Sequence, residues 1–186
     1  MYDGRTRLAD YDNSWYQPAP AWKRMLWHLI GRMFINTYFP YPIALKLFVL
    51  RAFGAQIGRG VIIKPKVNIK YPWFLIVEND TWIGENVWID NLAMVRIGRN
   101  VCLSQGAMLL TGNHNYRKPT FDLVLGEITL RDGVWIGAQA TVCPGVTCDS
   151  HAVLTVKSVA TRNLEPYGIY QGNPAVRVKT RQINTD

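Results

Sequence analysis

Aliphatic side chains recur six residues apart through most of this chain, and that spacing leaves few folds open to it. The series runs Ile57, Ile63, Ile69, then Val77, Ile83, Ile89, then Ile97, Leu103, Leu109, each trio offset from the last by eight. After a break it resumes at Leu130, Ile136, Val142, Cys148 and Leu154. Four residues after these positions stand mostly small or β-branched residues, among them Val61, Thr81, Val101, Ala140 and Ser158. Six is a multiple of the strand period of two and fits the 3.6-residue helical period poorly, so a side chain repeating at six stays on one face of extended backbone. Residues 57–160 therefore read as short strands, three to a coil, and a helix is excluded there. Stacked coils place the aliphatics in one interior column that each coil buries only against its neighbours. The repeats add up to about four to five coils. Glycine directly follows the aliphatic residue at Gly58, Gly84, Gly98 and Gly137, where a tight corner would want a residue without Cβ.

With 186 residues and 48% hydrophobic content, the chain can bury one core, with a short appendage. Its formal charge of +8 includes no basic run longer than two. Scattered charges fit a small polyanionic cofactor or an anionic lipid surface better than a nucleic-acid track. Cys102, Cys143 and Cys148 have neither CxxC spacing nor a nearby ligand cluster, so the expectation is a reducing, cytoplasmic protein without disulfides or zinc. Met1 to Gln17 contains no apolar signal region, and Pro or charge interrupts each apolar stretch before it reaches a membrane-spanning length.

Spacing does not give the hand of the coils, and the general rule makes about 98% of parallel crossovers right-handed. The segments IGENVWI, IGRNVCL, DGVWIGAQATVCPGV and YQGNPAVRV resemble the hexapeptide-repeat acyltransferases. That resemblance implies a mainly β fold, a left-handed parallel β-helix, working as a homotrimer. Within the superfamily, YDNSWY, GVIIKPKVNIKYPW, VWIDN, SQGAMLLTGNHNY, PTFDL and IYQGNPA resemble the colanic-acid and exopolysaccharide O-acetyltransferase branch over nearly the whole chain.

Three regions are expected: an N-terminal arm with capping helices over 1–56, the β-helix over 57–160 with an inserted loop at 110–129, and a C-terminal tail over 161–186 that completes the cofactor site. Trp22, Leu26, Leu29, Ile30 and Met33 lie at helical spacing with Lys23, Arg24 and Arg32 interspersed, and a second short helix follows Pro42. These helices cap the open edge of the first coil. Residues 20–53 also suit a peripheral membrane contact, on the inner face of the membrane, that would bring the enzyme to a lipid-linked glycan. His28 reads as structural.

The register breaks at length only between Leu109 and Leu130, around TGNHNYRKPTFDLVLGEIT. Loops that interrupt a rigid solenoid commonly carry function. His114 lies in this loop, and imidazole can take a hydroxyl proton near neutrality. The resemblance makes His114 the general base for acetyl transfer from acetyl-CoA to a sugar hydroxyl. It also points to WIDN, where Asp90 or Asn91 is the substrate-binding partner; a carboxylate would orient a hydroxyl or His114, and Asn91 could donate to an oxyanion. Coenzyme A would lie between subunits, with Trp135, Ala138, Thr155, Thr161, Arg162 and Arg177 as its contacts. Guanidinium suits phosphate at the two arginines. Lys157 and Val176 depart from the family pattern, standing where glycine and a basic residue are common. Ser104 and Cys102 fall in repeat positions without a nucleophile motif and read as structural.

The alternatives are a xenobiotic acetyltransferase acting on an antibiotic and a non-catalytic repeat scaffold. A metal-dependent hydratase would need three converging histidines, whereas His28, His114 and His151 lie in three different contexts, so no metal is expected.

Overall fold

A computed structural model of the chain describes residues 5–184, so the ends of the expected arm and tail lie outside the described residues. The interior column forms as the spacing predicts: every member of the six-residue series from Ile63 to Leu154 is at most 4% exposed. Only Ile57, at the open end, is partly covered.

The strands stack into three parallel sheets that form the sides of a β-helix. The first holds residues 56–57, 75–77, 95–97, 128–130 and 147–148; the third holds 68–69, 88–90, 108–110, 141–142 and 159–160. The second holds 62–63, 82–83, 102–103, 135–136 and 153–154 and continues into 168–172, on which 175–180 folds back antiparallel. Pairing of Ile63 with Ile83 and of Ile83 with Leu103 gives the first coils twenty residues each, whereas Ile136 pairs with Leu154, eighteen on. The two additional residues per early coil are the offset of eight in the series, and they widen the corners at residues 71–74 and 91–94.

Five coils close and a sixth begins, beyond the four to five expected. Leu164 bridges to Cys148, and Ile169 and Tyr170 pair with Val153 and Leu154. The coil path therefore runs past residue 160 into the segment expected to be a tail. Leu164 follows Ala160 by four residues rather than six, so the periodicity stops one turn before the fold does.

The glycines have a different cause from the one expected. A Cβ on Gly84 would lie 2.7 Å from the Leu103 carbonyl oxygen, and one on Gly137 would lie 2.8 Å from that of Leu154. Close approach of successive coils, rather than turn conformation, excludes a side chain there. The left-handed corner conformation falls two residues later, where Asn86, Asn100 and Gln139 hold φ of 58, 54 and 57°. Asparagine tolerates that region better than most side chains.

Two helices close the open end. Helix α1 spans Ala21–Phe34 and α2 spans Ile43–Ala52, each starting directly after a proline, Pro20 or Pro42, that cannot donate and need not. Trp27 is buried in α1 and donates its indole N–H to the Ile69 carbonyl at 3.0 Å. Helix α2 buries Leu47, Val49 and Leu50 and packs on strands 56–57 and 62–63. Together they cover coil backbone and column that would otherwise face water.

Candidate active site

The insertion between Leu109 and Leu130 is a hairpin rather than an open loop. Residues 112–114 pair antiparallel with 123–125, setting His114 opposite Leu123. Lys118 bridges to Asp122 at 2.8 Å near the tip, and this hydrogen bond is the main cause holding the Asp122 carboxyl below its ordinary range. Phe121 takes φ of 53°, a conformation costing a non-glycine residue on the order of 1–2 kcal/mol. The turn aims its carbonyl at the imidazole, 2.8 Å from His114 Nδ1, and stacks the two rings with centroids 4.4 Å apart. A carbonyl oxygen only accepts, so Nδ1 carries the proton and the neutral ring keeps its lone pair on Nε2.

An arm crosses this hairpin. The Arg7 N–H donates to the Pro119 carbonyl at 2.8 Å, and the Tyr11 ring meets His114 edge-on at 5.7 Å. Five residues later the Tyr16 hydroxyl donates to the Leu92 carbonyl at 2.6 Å. Burial, with Tyr71 and Asp90 nearby, raises the Tyr16 pKa well above the usual phenol range. Tyr11 and Tyr16 were not singled out as site residues by sequence reasoning; both lie in the YDNSWY segment, which carried the resemblance but named no contact.

Beyond Tyr16 the arm enters α1, which overhangs the third sheet and leaves a groove of about 700 Å³. Arg24, His28, Tyr71, Trp88 and Asp90 are among the residues lining it; His114 is not. Asp90 Oδ1 lies 3.4 Å from Lys70 Nζ, an ion pair without hydrogen-bond geometry, and is shielded from water. Arg24 Nε is shielded as well, without a hydrogen-bond partner among the described residues.

Asp90 and Asn91, adjacent in sequence, are separated by the corner. Asn91 is fully buried, accepts from the Tyr71 N–H at 3.0 Å and donates to the carbonyls of Tyr71 and Phe74. Its amide is spent holding the wide corner of the coil below. Thr111 does the same one coil on, donating to the Asp90 carbonyl at 2.8 Å and accepting from the Ala93 N–H at 3.0 Å.

The six residues expected at the cofactor fall on more than one edge. Trp135, Ala138 and Thr155 lie along the second sheet and its corner with the third, where Trp135 is 45% exposed and its indole N–H donates to Ser104 Oγ at 2.9 Å. Thr155 pairs its hydroxyl with Ser158 at 3.0 Å. Thr161 and Arg162 are exposed on the corner between the third sheet and the first. Arg177, on the terminal hairpin, is engaged by Glu165 at 2.6 Å and by the Thr180 hydroxyl.

The cysteines are not set up as nucleophiles. Burial raises the thiols of Cys102 and Cys143, and burial with Asp149 nearby pushes Cys148 up to about 12, so none is a thiolate near neutrality. Among the described residues no group of three His, Cys, Asp or Glu is placed to hold a metal ion.

No protein-family model matches the sequence. The chain is 34% identical over 136 residues, 73% of its length and 75% of the relative's, to WcaF of Escherichia coli strain K12, a protein named for acetyl transfer in colanic acid biosynthesis. Two solved structures share the fold. The hexapeptide-repeat acetyltransferase VCA0836 of Vibrio cholerae, complexed with acetyl coenzyme A, matches 90% of this chain and 93% of its own at a TM-score of 0.78 and 21% identity. A galactoside acetyltransferase in complex with coenzyme A matches 85% and 80% at 0.70 and 22%. On the 34% identity and the shared coil architecture, the chain belongs to the hexapeptide-repeat acetyltransferases of left-handed β-helix fold, in the branch that contains WcaF.

Proposed function

We propose that the protein transfers the acetyl group of acetyl-CoA to a hydroxyl of a carbohydrate in exopolysaccharide biosynthesis, with His114 as general base. The observation that carries this reading is the Nδ1 hydrogen bond of His114 to the Phe121 carbonyl, which leaves Nε2 ready to accept a proton. The acceptor hydroxyl gives its proton to Nε2 as its oxygen attacks the thioester carbonyl. The tetrahedral intermediate collapses with loss of the thiolate, which takes the proton back from the imidazolium. No covalent enzyme intermediate is required, and the raised thiol of Cys102 supports that economy.

Asp90 is the better substrate partner of the WIDN pair, because its carboxylate lines the groove while the Asn91 amide is spent inside. It suits a sugar hydroxyl donating to it beside Trp88, whose face offers a ring to stack on. Identity to WcaF supports the sugar acceptor.

The enzyme works as a homotrimer in this reading. Trp135, Ala138 and Thr155 lie on one corner and Thr161 and Arg162 on another, an arrangement that suits an acyl-CoA held between the edges of two copies. The exposed indoles Trp82 and Trp135 on the second sheet are surface a neighbour would cover. Arg162, for which no ion pair is found among the described residues, is the better of the two arginines for phosphate.

Calorimetric titration of the purified trimer with acetyl-CoA tests the donor half of the proposal. Micromolar binding with one site per chain is expected, followed by acetyl transfer to exopolysaccharide repeat units. No binding of acetyl-CoA or longer acyl-CoAs to the folded trimer would turn the reading to a scaffold.

A further inference from the structure

The positive charge is not spread along the chain. Residues 13–77 hold nine Lys and Arg and no Asp or Glu, whereas the remainder holds twelve against thirteen. The end of the arm, both helices and the first coil therefore carry +9 and the remainder −1, which together make the net +8.

Helix α1 in that segment is apolar on two faces. One face turns Trp27 and Gly31 into the protein, as a capping helix must. On the opposite face Trp22, Met25, Leu26, Leu29 and Met33 form a stripe at helical spacing and are 68, 63, 43, 60 and 56% exposed. A helix resting on a globular body keeps polar residues on its outer face, so a second apolar stripe needs a cover. The turn after α1 adds exposed Tyr38 and Phe39, with Lys66 Nζ 5.1 Å from the Tyr38 ring and Arg32 exposed on the helix itself.

We propose that the outer stripe of α1 and the aromatic turn behind it dock on an anionic lipid bilayer. Apolar side chains flanked by cations match the boundary between acyl chains and anionic headgroups. A second copy related by symmetry is the poorer occupant, since it would bring the same acid-free segment against this one, and the rest of the chain, with twelve cations against thirteen acids, carries almost no net charge to draw it. Docking also has a consequence for the site. Arg24, His28 and Arg32 of the same helix line the groove beside Asp90, so a docked α1 sets the groove at headgroup level, within reach of an acceptor carried on a lipid. That last step rests on the proposed transfer to a sugar; docking itself does not.

Co-sedimentation of the full chain with phosphatidylcholine vesicles, with and without about a third phosphatidylglycerol, tests the docking. Most of the protein should pellet with the anionic vesicles, with binding at least roughly tenfold weaker on the neutral ones or in high salt. L26E/L29E should lose binding to a similar degree, and Arg32→Ser should weaken it roughly fivefold. Acetyl-CoA affinity, thermal stability and elution volume should stay at wild-type values in L26E/L29E, which separates failed docking from a failed donor site or a misfolded chain. Wild type left in the supernatant, or L26E/L29E binding like wild type, would overturn the proposal. A smaller assembly in L26E/L29E would overturn it too, by assigning the stripe to a second copy.

Discussion

The coil body and the hairpin with its arm hold themselves together in opposite ways. In the body one rule repeats: an aliphatic residue inward every six, a backbone ladder to the coil on each side, and a left-handed corner three residues on. Most contacts there recur from coil to coil. The hairpin and arm rest on a few one-off contacts: three register pairs, the Arg7 to Pro119 hydrogen bond, the Tyr11 edge on His114 and the Tyr16 anchor. The imidazole lies where the repeat stops, so a change that empties the column should act on stability and a change in the hairpin should act on chemistry.

Leu109→Ala should strike hardest at the body. It opens a cavity at a fully buried position and should cost about 3 kcal/mol, read as a lower midpoint in chemical denaturation. Turnover per folded molecule should stay near wild type. Loss of turnover without loss of stability would erase the distinction between the two regions.

The neighbours Asp90 and Asn91 sharpen it at a single corner. Asn91→Ala leaves the Tyr71 N–H and two carbonyls without their partner, and should cost about 2–3 kcal/mol of stability. Asp90→Asn should leave the denaturation midpoint almost unmoved and raise KM for the sugar, as measured in steady-state kinetics. A reversal of the two phenotypes would place Asn91 in the site instead.

Smallest is the arm. Tyr16→Phe loses one hydrogen bond, about 1 kcal/mol of local stability, readable as faster amide exchange over the arm. The raised pKa of Tyr16 gives this anchor a pH dependence. The unfolded or detached arm ionises near pH 10 while the bound phenol stays neutral, so the anchor is fully present below that pH and weakens as pH rises above it. Wild type should show that alkaline loosening, and Tyr16→Phe should not.

Much of the body was legible in the sequence because its forces are periodic. Ile83, Leu103 and Ile136 announce their burial by spacing alone. The sixth coil was not, since Leu164 breaks the step, and neither was the cause of Gly84, since the carbonyl that excludes its side chain belongs to another coil. In the candidate site, His114 stood out where the period failed. Its tautomer did not, because that is set by the carbonyl of Phe121 in a left-handed turn that phenylalanine does not advertise. Asp90 and Asn91 could not be separated from sequence, because burial at a wide corner depends on the coil below. Contacts such as Tyr16 to Leu92, joining residues 76 apart, have no local signature.

Acetyl transfer by His114→Ala, followed by release of the CoA thiol on the same preparation used for calorimetry and melting, tests the central claim most directly. Turnover should be lower by about 10²- to 10⁴-fold, with acetyl-CoA affinity and melting temperature at wild-type values. Wild-type turnover in that variant would contradict that claim and remove His114 from the chemistry.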